Sequence, residues 1–183
     1  SYQKSGNFPI IDQSKLFYCG WTNDADAVIF DNLPLIIFGD HTCILKIVNE
    51  PFVQGADGIK ILKTESKIIP EFCYQYLQYN EVKQEEYKRH FSILKEKPVL
   101  FPSLPEQERI ASCLSSLDNL IDAHSQKLDL LKEHKKGLMQ NLFPREGEKV
   151  PRLRFPEFKN DGEWEEKKLG EVYTFKLTNS LSR

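Results

Sequence analysis

Ile110, Leu114, Leu117, Ile121, His124, Leu128, Leu131, Lys135, Leu138 and Leu142 follow one another at alternating steps of four and three residues. In an α-helix that alternation brings all of them onto one stripe, a heptad seam about five heptads long. Few folds accommodate such a stripe. One small domain cannot cover it, so the seam calls for a second helix, in another chain or elsewhere in a larger protein. Pro105 suits the first turn, Glu106 and Glu108 lie near the positive end of the helix dipole, and Pro144 stops the run. The spacing predicts one helix over 105–143, close to ~57 Å long. His124 and Lys135 occupy seam positions where leucine is expected, and polar seam residues fix register and partner at a cost in stability. Asp118, Asp122, Lys127, Asp129, Lys132, Glu133 and Lys136 lie mostly off the seam, as a solvated face.

The rest of the chain has other periods. Residues 1–70 read as short strands broken by turns: "AVIFDNLPLIIFGDH" and "CILKIVNEPFVQGADGIKILK" are apolar runs punctuated by Asn, Asp, Gly and Pro. "KIVNEPFV" predicts a hairpin turn, and "QGADGIKIL" a loop leading into another strand. Over residues 70–90 the period becomes helical. Pro70 suits a helix start, and Phe72, Cys73, Tyr76, Leu77 and Tyr79 or Asn80 form an apolar stripe. "FSILKEKPVLFPSLP" predicts an extended connection to the long helix. Beyond it, "REGEKVPRLRFPEFKNDGEW" reads as a linker, and Trp164, Leu169, Val172 and Phe175 as anchors of a newly beginning ordered segment. The fold class is α+β: a β-rich mixed domain over 1–104, the helix over 105–143, and a linker with the initial segment of a domain over 144–183.

The chain of 183 residues is 40% hydrophobic with 12 Phe, enough for a real core. It shows no membrane-length apolar run and no signal-peptide pattern, and the expectation is a cytoplasmic protein. It begins at Ser1 rather than Met, as a fragment or processed chain would. Cys19, Cys43, Cys73 and Cys113 form no CxxC pair and read as free thiols. Net charge is −2, so nucleic-acid binding would need a local basic patch. His41, His90, His124 and His134 lack metal-ligand spacing. Asp40-His41-Thr42-Cys43 clusters on a turn, better suited to reading a partner than to Cys–His catalysis. Glu65-Ser66-Lys67 with Asp57 upstream has the form of half a Mg²⁺-nuclease motif, but so do Glu86-Tyr87-Lys88 and Glu165-Glu166-Lys167. There is no phosphate-binding glycine loop and no Asn-Pro-Pro-aromatic motif. A non-catalytic binding and assembly chain without a cofactor fits best; a coiled-coil scaffold or adaptor with a β-rich protein-binding domain is the alternative.

The run "LFPSLPEQERIASCLSSLDNLIDAHSQKLDLLKEHKKGLMQNLFP" resembles the conserved region of type I restriction–modification specificity subunits. Leu104, Glu106, Gln107, Ile110, Leu117, Asp118, Leu138, Gln140, Leu142 and Phe143 carry the match. "PRLRFPEFKNDGEWEEKKLGEV" is similar to that family's lead into a target recognition domain, and "LPLIIFGDHTCILKIVNEPFVQGADGIKIL" to the interior of one. The resemblance implies a subunit that reads double-stranded DNA and catalyses nothing. Two such recognition domains read the halves of a split site, separated by two antiparallel helices. The helices dock modification (methyltransferase) subunits, which use S-adenosylmethionine, and restriction subunits join them.

This chain has one recognition region and one helix, so it resembles a half-subunit cut or permuted out of phase. The expectation is an antiparallel homodimer in which each C-terminal segment completes the partner's recognition domain. The expected DNA contacts are polar and basic residues of the recognition segment: Lys15, Asn23, Asp24, His41, Thr42, Lys46, Gln54, Asp57, Lys60, Lys63 and Arg89, with Lys4 and Lys95 as further phosphate contacts.

Overall fold

The computed structural model describes residues 2–55, 57–84 and 89–174. It is α+β, and its compact units are Ser1–Leu120 and Ile121–Arg183. In the first, strands β1 (Phe8–Ile11), β2 (Gly20–Thr22), β3 (Val28–Ile29), β4 (Leu35–Gly39), β5 (Leu45–Val48), β6 (Phe52–Gln54) and β7 (Ile59–Leu62) precede helices α1 (Pro70–Tyr79) and α2 (Phe91–Lys95). Helix α3 (Leu104–Leu142) begins in this unit and ends in the second. The strands form one sheet in the order β2-β1-β6-β3 and another in the order β5-β4-β7.

Strand β4 explains why the chain reads as so apolar around residue 36. It is the central strand of its sheet, and all five of its residues are buried. Leu35 and Ile37 pack with Ile11, Val48, Phe52 and Ile59, between the sheets. Phe38 packs with Leu77, Val82 and Leu94, on the helix side. A strand covered on both faces loses the usual alternation.

Two expectations are corrected. "KIVNEPFV" is not a hairpin: β5 pairs with β4, whereas β6 pairs with β1 and β3 in the other sheet. Pro51 has no N–H to continue a ladder, and Phe52 is drawn fully into the core between the sheets. "FSILKEK" is not extended, because Leu94 closes the helix-side core and its segment coils into α2. Helix α1 ends at Tyr79, which is exposed.

Gln107 fixes the start of α3. Its side chain is fully buried. Its Oε1 accepts the N–H of Ile69, the residue before α1, at 2.9 Å. Its Nε2 donates to the carbonyls of Lys67 at 3.0 Å and Pro102 at 2.8 Å. Ala111 is the other buried residue of α3, and farther along Gln75 of α1 donates to Asp118 at 2.6 Å.

In the second unit the chain turns back after Phe143. Leu153 N–H caps the Asn141 carbonyl at 2.9 Å, and the rings of Phe143 and Trp164 meet edge to face. The Arg154 guanidinium holds a turn through the carbonyls of Phe158, Asp161 and Gly162. Leu169 and Val172 lie exposed on the short helix α4 (Leu169–Val172); Phe175 falls outside the described residues.

Another polar knot supports the β1–β2 loop. Lys46 of β5 shares a face with Val48 and is buried between the sheets. Its ammonium donates to the carbonyls of Asp12 at 2.7 Å and Leu16 at 2.6 Å, and lies 4.0 Å from the Asp12 carboxylate. Burial pushes the lysine below its usual pKa, while Asp12 works against that shift. Burial likewise acts to raise Asp12, but hydrogen bonds from Ser14 and Cys19 and the Lys46 charge outweigh it and hold the carboxyl below its ordinary value.

These knots yield stability predictions. Gln107→Leu strands an N–H and two carbonyls and should cost about 2–3 kcal/mol in urea unfolding. For Asp12, a lowered folded pKa means that its contribution is present above the unfolded value, about pH 4, and disappears as pH falls through the folded one. Unfolding followed against pH should therefore show an acid limb that is shallower in Asp12→Asn.

Candidate nucleic-acid interface

Three turns and one connecting segment meet at the end of the sheets where β1 and β6 finish side by side. Gln13, just past β1, joins them. Its Oε1 accepts the His41 N–H at 3.2 Å, and its carbonyl accepts the Thr42 hydroxyl at 2.8 Å. Gly39 and Gly58 make room for this clasp. A Cβ at Gly39 would collide with the Thr42 hydroxyl and Gln13, and one at Gly58 would collide with the Gln13 carboxamide. The β4–β5 turn is tied to the β6–β7 turn by Asp40 N–H on the Gly58 carbonyl at 2.8 Å.

The segment before α2 locks the same turn from the other side. Asp40 is buried, and its carboxylate accepts the Phe91 N–H at 2.8 Å. Its carbonyl accepts the His90 N–H at 2.9 Å and lies 3.0 Å from the ring Nδ1, so Nδ1 carries the proton in this contact. Gln84 donates to the His41 carbonyl at 3.1 Å. The turn's backbone is thereby held from both sides, and Cys43 takes a left-handed conformation with φ of 56° at its end.

This edge gathers many of the expected contact residues. Lys15 is exposed on the Gln13 loop, and His41 and Thr42 are half-buried on the clasped turn. Gln54 is exposed where β6 pairs with Ile11, Asp57 lies on the β6–β7 turn, and Arg89 is exposed beside His90. Lys60, on β7, holds its ammonium 5.5 Å from the centre of the Phe91 ring, which Lys95 approaches at 5.7 Å.

Other expected contacts lie elsewhere. Asn23 and Asp24 follow β2 at the opposite end of β1, where Phe8 pairs with Thr22. Both shape their own loop: Asn23 Oδ1 accepts the Asn7 N–H at 2.9 Å, and Asp24 accepts the Asp26 N–H at 3.2 Å. Lys63 lies beyond the far end of β7, and Lys4 beside the Gln3–Trp21 bridge. Lys46 is not at the surface, as a phosphate contact would require: its ammonium is buried on the carbonyls of Asp12 and Leu16. Gln13 and Gln84 were not expected. Neither stands in a sequence motif; only the paired need for small residues at Gly39 and Gly58 hints that a side chain passes between them.

The edge offers cations for phosphates and a pinned polar turn for base edges. Among the described residues no group of three His, Cys, Asp or Glu side chains is placed to hold a metal. Glu65 and Lys67 lie on the turn into α1, where Lys67 gives its carbonyl to Gln107; Glu86-Tyr87-Lys88 lies outside the described residues.

Comparison with known proteins places the chain among specificity proteins of type I restriction systems. A putative type I restriction enzyme specificity subunit, MjaX, of Methanocaldococcus jannaschii is 31% identical over 107 residues, which cover 57% of this chain and 24% of that protein. The MjaVIII specificity subunit of the same organism is 38% identical over 74 residues, or 39% of this chain and 17% of the relative. The matched stretches thus span a quarter or less of either relative. The sequence pattern of the type I restriction modification DNA specificity domain matches residues 1–133, which take in the sheets, the clasped edge and most of α3, and the chain belongs to that family.

Proposed function

We propose that this chain is the DNA sequence-recognition subunit of a type I restriction–modification complex. It reads one half of a bipartite duplex site through the clasped edge, docks methyltransferase subunits, which restriction subunits join, and carries out no chemistry itself. The observation that carries the reading is the open seam of a helix that is locked to the DNA-reading unit. Leu117, Ile121, Leu128 and Leu131 are all more than half exposed, and no described residue of the chain covers them.

The face of α3 that docks on its own unit runs through Gln107, Ala111, Ser115 and Asp118. The seam, starting at Ile110, is centred about 90° round the helix from that face. Docking therefore leaves the seam free for a second helix. A second copy running antiparallel would cover it and would pair two identical reading units, matching a two-fold site.

Sedimentation of the full chain at micromolar concentration should give a dimer, Leu128→Lys should shift it to monomer, and His124→Leu with Lys135→Leu should tighten it; a wild-type monomer would sink the homodimer. Methylome sequencing with and without the gene should show the loss of one bipartite, palindromic adenine-methylation motif. An unchanged methylome would favour a protein-binding scaffold instead.

A further inference from the structure

The β1–β2 loop exposes an apolar tip at the end of the sheets where the clasped edge lies, and neither of its two side chains enters the core clusters. Leu16 is 68% exposed and Phe17 is 42% exposed, with Lys15 next to them in solvent. An apolar tip on a mobile loop would fold back onto the surface. This one is held out. The buried Lys46 ammonium takes the Leu16 carbonyl from below, and the Asp12 carboxylate accepts the Ser14 N–H at 2.8 Å. The Phe17 ring stands edge-on against Tyr18 at 4.8 Å between centroids, and the Tyr18 hydroxyl is tied to Glu50.

A buried charge is a costly way to shape a loop. Here it fixes the position of two apolar side chains and one cation at the end of the domain where Gln13, His41 and Thr42 converge. Duplex DNA presents one apolar group in its major groove, the 5-methyl of thymine, next to hydrogen-bonding base edges and close to phosphates. Lys15, Leu16 and Phe17 match that order of charges and apolar surface.

We infer that Leu16 and Phe17 are specificity-determining residues that read thymine methyl groups in the major groove, with Lys15 on the neighbouring phosphate. The inference rests on the DNA-recognition reading above and adds to it the base feature that is read. Because the loop is already ordered, contact costs little further conformational entropy.

The test uses the full chain in the complex it forms when co-expressed with its methyltransferase. A pool of randomised duplexes first yields the bound sequence. Each thymine of that sequence is then replaced in turn by deoxyuridine, which removes the methyl and nothing else. One or two replacements should weaken wild-type binding by about fourfold each, the transfer free energy of one methyl-sized group. Leu16→Ser with Phe17→Ser should bind the thymine duplex as weakly as the wild type binds the deoxyuridine duplex, and should not distinguish the two. Leu16→Met should keep the discrimination. Circular dichroism of the variants should match the wild type, since both side chains are exposed. Wild-type indifference to every replacement, or full discrimination surviving in the serine variant, would overturn the inference. Failure to select any sequence would instead overturn the DNA-recognition reading, and this inference with it.

Discussion

The carboxamide of Gln107 holds the first unit together as a device rather than as a domain with a helix attached. It satisfies the N–H before α1 and two loop carbonyls, all from the first turns of α3. A fully buried amide with each of its polar atoms occupied admits few alternative placements, because any rotation leaves a buried group unpaired. An apolar residue in its place could slide. The start of α3 is therefore keyed to α1, and Gln75 with Asp118 repeats the link farther along. Since α1 packs on β5 and β4, the angle of the helix is set by the same sheet that carries the clasped turn.

The same logic recurs at the clasped edge. Asp40 and Lys46 are buried polar residues whose partners are mostly backbone groups of neighbouring loops. Hydrophobic packing alone would not fix those loops, which carry few core side chains. Directional bonds to a buried group do, and they leave the outer side chains available to a ligand. Buried polar groups are thus placed where loop shape matters: Asp40 directly beside the half-buried His41 and Thr42, and Lys46 beneath the loop that carries Lys15.

Much of this was legible in sequence, for physical reasons that differ between segments. The heptad seam reports directly on the helix because periodicity alone carries it, and the structure places α3 over Leu104–Leu142. The strands before residue 70 are visible as apolar runs between turn residues. The partners of those strands are not: "KIVNEPFV" has the composition of a hairpin, but the core between the sheets claims Phe52 and sends β5 and β6 to different sheets. Lys46 looks like any surface lysine, since nothing local distinguishes a chain-distant carbonyl cage from solvent. Gln13 escapes notice for the same reason, whereas Gln107 could be singled out by family resemblance without its role being evident.

Two demands on one helix explain why α3 is so polar between its apolar positions. Its docking face is narrow, with Gln107 and Ala111 as its only buried residues among those described. A broader apolar face would bind the first unit more strongly but would merge with the seam about 90° away and blur the boundary between the two surfaces. Specific polar links on one face and leucines on the other keep the two faces distinct. Such a helix is fixed to its own unit by one face and keeps its heptad surface exposed on the other, so each face can change in sequence without disturbing the other.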